Sequence, residues 1–271
     1  MNGHARRARV IAVASGKGGL GRSTLAANLG VTLALAGRKA LLVDLDFGLA
    51  DAATLLGINA AVDLDGLAAG TTPLSAMTLA GPAGLDLVPG GPAGEIPRSR
   101  ELLLRRLAQS MRPLADRYDD IIVDTTTGAS PEVIASIGDS DGVILLVGEE
   151  PTAFMNAYGL LRLLAHGPGI AALGIVAAQV EDEAAGAALF QRFASLAARF
   201  LPVQPSYLGA LPVDSHVRDS VMARRPCVQL FPDCPASLGY RRVAGAVAGG
   251  LFKPFAGGDR FLALEGHHAL G

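Results

Sequence analysis

The feature that most constrains this chain is a series of short, continuous apolar runs separated by longer helical patterns. The runs lack alternation between apolar and polar residues, which is typical of parallel strands buried on both faces. They are VIAVAS (10–15), ALLVDLD (40–46), LDLVPG (85–90), DIIVDT (120–125), GVILLVGE (142–149), LGIVAAQV (173–180) and YLGALPV (207–213). Helices are predicted between them at 22–36, 100–116, 152–165 and 184–201. The alternation predicts an α/β fold with a doubly wound, mostly parallel sheet and helices on both faces.

Apolar residues recur at helical spacing in several of these segments and indicate the faces that pack in the core. A further helix is predicted to begin at Pro131, because proline is tolerated in the first turn of a helix. The expected core positions are Leu102, Leu103, Leu107 and Met111, then Leu160, Leu161, Leu163 and Leu164, and finally Leu189, Phe190, Phe193, Leu196, Ala197 and Phe200.

Length and composition limit the number of domains and the class of partner. The chain has 271 residues, of which 50% are hydrophobic, so one large core is easily filled. Lys and Arg number 23 against 25 Asp and Glu, a net charge of −2, so nucleic acid is not expected as a partner. We find no internal repeat and no linker. We predict one domain at 1–252 and a weakly structured or short amphipathic tail at 253–271.

Targeting and cysteine content favour a cytoplasmic protein. The start of the chain, MNGHARRARV, lacks the apolar segment of a signal peptide, and the apolar residues 163–180 are interrupted by Gly-Pro-Gly. Cys227 and Cys234 are expected to be reduced thiols, because two cysteines are too few for a zinc site. His216 shows no metal-ligand spacing with a carboxylate or a cysteine.

Residues 16–24, GKGGLGRST, lie between the first predicted strand and the first predicted helix. They fit the phosphate-binding pattern G-x-x-x-x-G-K-[S/T] at every position except the lysine, where Arg22 stands. Such a loop binds phosphate because successive backbone amides turn inward and the helix N terminus adds partial positive charge. The Ser23 hydroxyl is suited to Mg²⁺, and Thr24 can reach a second phosphate. The candidate nucleotide-binding residues here are Gly16, Lys17, Gly18, Gly19, Leu20, Gly21, Arg22, Ser23 and Thr24.

Two acidic segments end buried strands elsewhere in the chain. LLVDLDFGLAD (41–51) places Asp44 and Asp46 after the second strand, and IIVDTTTG (121–128) places Asp124 at the end of another. Ligands of open parallel sheets bind at the carboxyl ends of the strands, where a carboxylate such as that of Asp124 can hold Mg²⁺ through water. The loop and the acidic segments together predict a nucleotide site that uses Mg²⁺.

Lys17, directly after the first glycine, gives the loop a narrower resemblance. The segment resembles the KGGxGK[ST] loop of the MinD/ParA family of deviant P-loop ATPases, which have the SIMIBI type of P-loop NTPase fold. The resemblance implies ATP as the nucleotide and a homodimer in which Lys17 reaches the partner's nucleotide. It also implies that Asp46 orients the attacking water and that Asp44 lies near Mg²⁺. The catalytic assignments are therefore Asp46, Lys17 and Arg22, and the metal assignments are Ser23, Asp44 and Asp124.

Later segments resemble the FlhG/FleN branch of that family, the regulators of flagellar number. They are DFGLADAATLLGI (46–58), EEPTAFMNAYGLLRLL (149–164), YLGALPVDSHVRDSVMARRP (207–226) and ASLGYRRVA (236–244), within a likeness over roughly residues 9–250. Pro212 and Asp214 match the family's loop that lines the base. The resemblance implies a partner in flagellar assembly, namely an SRP-type GTPase, a transcriptional activator or the cytoplasmic ring.

Two positions depart from the family pattern. Arg22 replaces the lysine that lies between the β- and γ-phosphates, and its planar, bulkier head does not suit the same slot. We predict that hydrolysis is slowed on the order of 10²–10³-fold, the size of one well-placed electrostatic group, while nucleotide binding survives. Ala178 and Gln179 stand where the branch carries an adenine-reading asparagine. Gln179 is the candidate substitute, and the base preference stays open.

Alternative functions remain at this point. The first is a pseudo-ATPase that binds or scaffolds without hydrolysis, against which the retained acids Asp44, Asp46 and Asp124 argue. The second is the cell-division or DNA-partition role of the sister MinD and ParA branches. Family members often carry a C-terminal amphipathic membrane-targeting helix, but Pro254 and Gly257-Gly258 interrupt that pattern here. We therefore expect only weak or transient peripheral contact with the inner membrane.

Overall fold

The computed structural model describes residues 8–49, 51–92, 98–138, 140–166 and 171–252, and its centre is an eight-stranded sheet. The strands are Arg9–Ser15 (β1), Ala40–Asp44 (β2), Leu79–Ala80 (β3), Asp86–Val88 (β4), Asp120–Asp124 (β5), Gly142–Gly148 (β6), Leu173–Val180 (β7) and Ser206–Pro212 (β8). Their order is β3-β4-β2-β5-β1-β6-β7-β8. Each pairing is parallel except that of β3 with β4, which is antiparallel.

Helices connect the strands and lie on both faces of the sheet. They are Arg22–Leu35 (α1), Asp51–Leu55 (α2), Leu64–Ala69 (α3), Leu74–Met77 (α4), Arg100–Met111 (α5), Pro131–Gly138 (α6), Pro151–His166 (α7), Glu183–Phe200 (α8), Ser215–Met222 (α9), Cys227–Leu230 (α10) and Pro235–Ala248 (α11), with 3₁₀ turns at Pro82–Gly84 and Arg112–Arg117. None of the described helices is both long and apolar enough to cross a membrane.

The central strand β1 shows why the runs carry no polar alternation. Ile11 and Val13 belong to the buried cluster formed with α1 and α11, whereas Ala12 and Ala14 belong to the cluster formed with α6 and α7. All residues of β1 are buried, so both of its faces must be apolar. The predicted doubly wound α/β fold is thereby confirmed.

The winding of the chain places a crevice at the carboxyl end of β1. From β1 the chain passes to β2 and β4 on one side of the sheet, then returns to β5, which pairs with β1. It next crosses to β6, β7 and β8 on the other side. The direction of winding therefore reverses around β1, and this is the point at which open α/β sheets bind ligands.

The structure corrects several details of the sequence prediction. The α-helix expected at 100–116 ends at Met111 and continues as a 3₁₀ turn, because Pro113 has no amide hydrogen to donate. The two-residue strand β3 was not expected. Three predicted core positions are wrong, because 43–57% of Leu102, Leu163 and Phe200 is exposed. The predicted tail at 253–271 lies outside the described residues.

Candidate functional site

The loop between β1 and α1 has a backbone that only glycine permits at two positions. A Cβ on Gly16 would lie 2.3 Å from the carbonyl carbon of Asn156, inside the backbone of α7. Gly21, with φ 86°, is the N-cap of α1 in the left-handed region and supplies no side-chain cap. The first turn of α1 carries no acidic residue either. Neither the cap nor the first turn of α1 therefore supplies a negative group to the positive end of this helix, which favours an anion beside the loop.

Two adjoining cavities border the loop. The first, of about 470 Å³, is lined by Gly18, Gly19, Arg22, Ser23, Asp46 and Thr127 among others. The second, of about 460 Å³, is lined by Gln179, Pro212, Asp214 and Tyr240 among others. Gly21 and Thr24 line both cavities. Most of the predicted loop residues, though not Gly16 or Lys17, and the predicted base-lining residues thus border two adjoining cavities, whose volumes suit a nucleotide.

Arg22 does not lie along the loop but bridges two carboxylates. Its Nε donates to Asp124 Oδ1 at 2.7 Å, and its Nη2 donates to Asp46 Oδ2 at 2.9 Å. Only 6% of the Arg22 side chain is exposed, and Asp124 is fully buried. Burial works against the charged guanidinium, but the two carboxylates outweigh it and raise the pKa of Arg22. The buried guanidinium is therefore charged.

Sheet register brings the carboxylates to this point. Asp44 of β2 is the direct neighbour of Asp124 in β5. The Asp44 carboxylate accepts from the amides of Asp46 at 2.8 Å and Ala52 at 3.3 Å. Burial, with a further contribution from the Asp124 charge, raises the pKa of Asp44 to about 8. Burial also raises the pKa of Asp124, although Arg22 works against that rise.

The predicted metal ligands can be compared with the needs of Mg²⁺. Ser23 and Asp124 offer the oxygen donors that Mg²⁺ prefers, and the buried Asp124 Oδ2 has no hydrogen-bond partner in the described part of the chain. However, Asp124 Oδ1 is bound by Arg22, and both oxygens of Asp44 are bound by backbone amides. The donor types fit the metal. The positive charge they would need is already supplied by the guanidinium.

Lys17 lies at the surface beside the loop. Its ammonium contacts Glu150 Oε2 and donates to Thr152 Oγ1 at 3.2 Å. The side chains of Lys17 and Glu150 are 35% and 61% exposed. The contact with Lys17, and next that with Thr152, lowers the pKa of Glu150. We did not single out Glu150 and Thr152 from the sequence, although EEPT directly follows an apolar strand at the edge where ligands bind.

Gln179 is aimed over the loop by an irregularity in β7. The pairing of β7 with β8 shifts between Ala178 and Val180, and Gln179 between them has φ 57°. Its Nε2 donates to the Gly19 carbonyl at 2.6 Å. Strained, non-glycine backbone of this kind is concentrated at functional sites. The side chain predicted to substitute for an adenine-reading asparagine is therefore hydrogen-bonded to the phosphate loop.

Asp214 joins the starts of two helices. It is the N-cap of α9, where it accepts from the His216 amide at 3.0 Å, and its other oxygen accepts from the Ala236 amide of α11 at 3.0 Å. Burial acts against ionisation, but these bonds, together with the His216 side chain, lower the pKa of Asp214 to about 2. The residue predicted to line the base is thus a charged helix cap.

The expectation that His216 has no carboxylate or cysteine at metal-ligand spacing is wrong in one respect. Candidate ligand atoms of Asp214, His216 and Cys234 lie within 4.8 Å of one another, although the sequence shows no such spacing. Helix capping explains the positions of Asp214 and Cys234. Asp214 caps α9, and Cys234 caps α11 by accepting from the Ser237 amide. Cys227 and Cys234 are buried free thiols with their sulfurs 3.6 Å apart.

Comparison with known proteins agrees with this geometry. Residues 11–226 match the family model described as the CobQ/CobB/MinD/ParA nucleotide binding domain. Antiactivator FleN of Pseudomonas aeruginosa is 32% identical over 240 residues, covering 88% of this chain and 86% of that protein. Flagellum site-determining protein YlxH of Helicobacter pylori is 27% identical, over 90% and 83% of the two chains. The septum site-determining protein MinD of Pyrococcus horikoshii, solved with Mg-ADP, shares the fold with a TM-score of 0.71 and 23% identity, over 92% and 100% of the two chains.

Proposed function

Because this chain belongs to the CobQ/CobB/MinD/ParA nucleotide-binding family, we propose that it is an ATP-dependent dimerisation switch that regulates flagellar number or assembly. The observation that carries the proposal is the uncapped start of α1 beside the glycine loop, with Lys17 at the surface next to it. An uncompensated helix N terminus and a loop of inward amides bind polyphosphate.

Binding is divided between the two cavities. The loop amides and the start of α1 receive the phosphates, while Gln179, Pro212 and Asp214 border the space for the base. Mg²⁺, when bound with the nucleotide, would be held by Ser23 and Asp124 and would neutralise phosphate charge. The Gln179 amide already donates to the Gly19 carbonyl, so this bond couples occupancy of the base cavity to the loop.

Dimerisation needs Lys17 to leave Glu150. Both side chains are substantially exposed, and ion pairs at exposed sites stabilise a protein by only about 0–1 kcal/mol. A polyphosphate offers more negative charge than one carboxylate, so the partner's nucleotide competes effectively for the Lys17 ammonium. The Lys17–Glu150 pair is therefore an exchangeable contact on the face where a second subunit docks.

Hydrolysis in this proposal is slow because Asp46 is not free. A carboxylate that orients water must turn toward that water, and the bond from Arg22 to Asp46 Oδ2 fixes the carboxylate and partly neutralises its charge, which weakens its pull on the water. Arg22 also leaves the loop without a lysine between the phosphates. Together these effects slow turnover on the order of 10²–10³-fold relative to a lysine-containing loop.

The flagellar role rests on the likeness to FleN and YlxH over most of both chains. In this proposal the protein acts in the cytoplasm, with an SRP-type GTPase or a transcriptional activator as partner and weak or transient membrane contact. One observation favours a second function. The Arg22 bridge to both Asp46 and Asp124 suits a pseudo-ATPase that binds nucleotide and never hydrolyses it.

ATP turnover and ATP-dependent dimerisation separate these two functions. We would compare the natural chain with Arg22→Lys, Asp46→Ala and Arg105→Lys, the last altering an exposed pair with Glu101 on α5. The switch predicts measurable turnover, a dimer that appears with ATP, and faster turnover for Arg22→Lys, on the order of 10²-fold. Turnover unchanged by Asp46→Ala would refute its assignment. A natural chain that dimerises with ATP but shows no turnover would establish the pseudo-ATPase.

A further inference from the structure

The Arg22 guanidinium lies where a cation is needed. It joins Asp124 of β5 and Asp46, which follows β2, and it also lines the cavity bordered by the phosphate loop. Ser23, the other predicted metal ligand, has its hydroxyl 3.4 Å from Arg22 Nη2. One fixed positive charge therefore contacts two of the three predicted metal ligands, Asp124 and Ser23, together with the neighbouring Asp46 carboxylate.

The buried position makes this charge hard to displace. Asp124 is fully buried and 6% of the Arg22 side chain is exposed, so separating them would leave an unpaired charge in the interior. A metal ion competing for Asp124 must meet that cost and must also approach a guanidinium. A phosphate group need not break the Arg22–Asp124 pair: the guanidinium attracts it and offsets the repulsion from the Asp46 and Asp124 carboxylates.

One donor of Arg22 is left without a partner. Its Nη1 is buried and has no hydrogen-bond partner among the residues that the structure describes. A guanidinium presents its N–H groups in a fixed fork, so Nη1 keeps its hydrogen-bonding capacity while Nε and Nη2 hold the two carboxylates. The loop supplies the anion site and Arg22 supplies the neutralising charge beside it.

We propose that Arg22 takes the charge-neutralising place of the divalent cation, so that this chain binds adenine nucleotide with an affinity that does not depend on Mg²⁺. The inference rests on the proposed function for nucleotide binding itself. Mg²⁺-bound nucleotide is accepted as well, but the metal adds little because the carboxylates are already paired.

The test measures binding and not turnover. Nucleotide-free protein is titrated with a fluorescent N-methylanthraniloyl ATP in excess MgCl₂ and in excess EDTA, and anisotropy gives the two dissociation constants. For the natural chain we expect the constants to agree within about threefold. For Arg22→Lys, whose ammonium has no fork to hold both carboxylates, we expect binding at least about tenfold weaker in EDTA than in MgCl₂. The control variant Arg105→Lys should give the same two dissociation constants as the natural chain.

Each other outcome is decisive. A natural chain that binds about tenfold more weakly in EDTA overturns the inference while leaving the proposed switch intact. Arg22→Lys that binds equally in both buffers, with a melting temperature like that of the natural chain, removes Arg22 as the cause and also overturns it. No binding by the natural chain in either buffer overturns the proposed function together with the inference.

Discussion

Arg22 is held by charges that come from distant parts of the chain. Asp46 follows β2 and Asp124 ends β5, so the ion pairs join segments 24 and 102 residues away from the arginine in sequence. A buried ion pair adds little stability relative to a well-packed apolar group, but removal of one partner leaves a buried charge. The arginine is therefore as much a part of the core as of the nucleotide site.

Removal of the Arg22 charge should destabilise the protein strongly. For Arg22→Met we expect a loss of about 3 kcal/mol in the free energy of unfolding at neutral pH, because Asp124 is left buried without its partner. Urea denaturation followed by circular dichroism measures this loss. Arg105→Met, which removes an exposed pair, should cost less than about 1 kcal/mol.

A double-mutant cycle separates charge from packing. When Asp124→Asn is combined with Arg22→Met, the stability should recover by about 1 kcal/mol or more relative to Arg22→Met alone, because no buried carboxylate is left unpaired. Strictly additive losses would contradict this account and would assign the effect of Arg22 to its volume.

The sequence predicted where the candidate site residues lie in the fold better than it predicted their contacts. Gly16 to Thr24, Asp44 and Asp124 could be placed at one sheet edge because strand ends of a parallel sheet share that edge. The direction of the Arg22 side chain could not be predicted, because it depends on how β2 and β5 pair. Their register sets Asp44 beside Asp124 and so brings Asp46, two residues later, near the same point. Glu150 and Thr152 were missed for the same reason, since only the folded sheet brings β6 next to the loop.

Among the elements, the starts of α9 and α11 are joined by a single carboxylate. Asp214 caps α9 through the His216 amide and binds the Ala236 amide in the first turn of α11. Both helices border the cavity expected to receive the base, through Val217 and Tyr240. Asp214 therefore contributes to the geometry of that cavity through both helices.

Asp214→Asn should weaken this junction in a pH-dependent way. The amide keeps one acceptor and turns its NH₂ group toward a backbone donor, so we expect a loss of about 1–2 kcal/mol at neutral pH. The pKa of Asp214 is lowered to about 2, so its carboxylate stabilises the folded state above about pH 4 and loses that effect as the pH falls towards 2. The difference in unfolding free energy between the natural chain and the variant should therefore narrow below about pH 4.

Asp182→Asn provides the matched control. Asp182 caps α8 by accepting from the Ala185 amide and does not line the base cavity. Asn caps a helix about as well as Asp, so Asp182→Asn should change stability at neutral pH by less than about 0.5 kcal/mol and leave nucleotide affinity unchanged, whereas Asp214→Asn should lower both. If the loss caused by Asp214→Asn persisted unchanged to pH 2.5 or so, the charged cap would not be its cause.

The positions of the strands and helices could be predicted well from the sequence, but the residues at which they begin and end could not. The strands were predicted because continuous apolar runs between helices are typical of parallel strands covered on both faces. Core faces were less certain, since Leu102, Leu163 and Phe200 recur at the right spacing and yet are exposed. Periodicity marks the direction of a helix face, while its width depends on which neighbours cover it.

For the whole molecule, the described chain ends inside the core. Phe252 is fully buried and packs against Gly142, where a Cβ would lie 2.0 Å from its ring. Arg9, itself paired with Asp120 under the centre of the sheet, also donates to the Phe252 carbonyl at 3.3 Å. Phe252, the last described residue, therefore packs at the amino ends of β1 and β6, opposite to the strand ends that form the nucleotide site.

We propose that the folding unit ends at residue 252, and truncation tests it. A chain ended after Phe252 should keep the urea midpoint of the full chain, because the contacts of Phe252 with Gly142 and Arg9 are retained. Phe252→Ala in the full chain should lower the free energy of unfolding by about 3–5 kcal/mol, because a buried ring is lost. Phe252→Leu should lower it clearly less, because leucine still fills part of the space of the ring. A truncated chain that lost comparable stability would show that residues 253–271 belong to the folded domain.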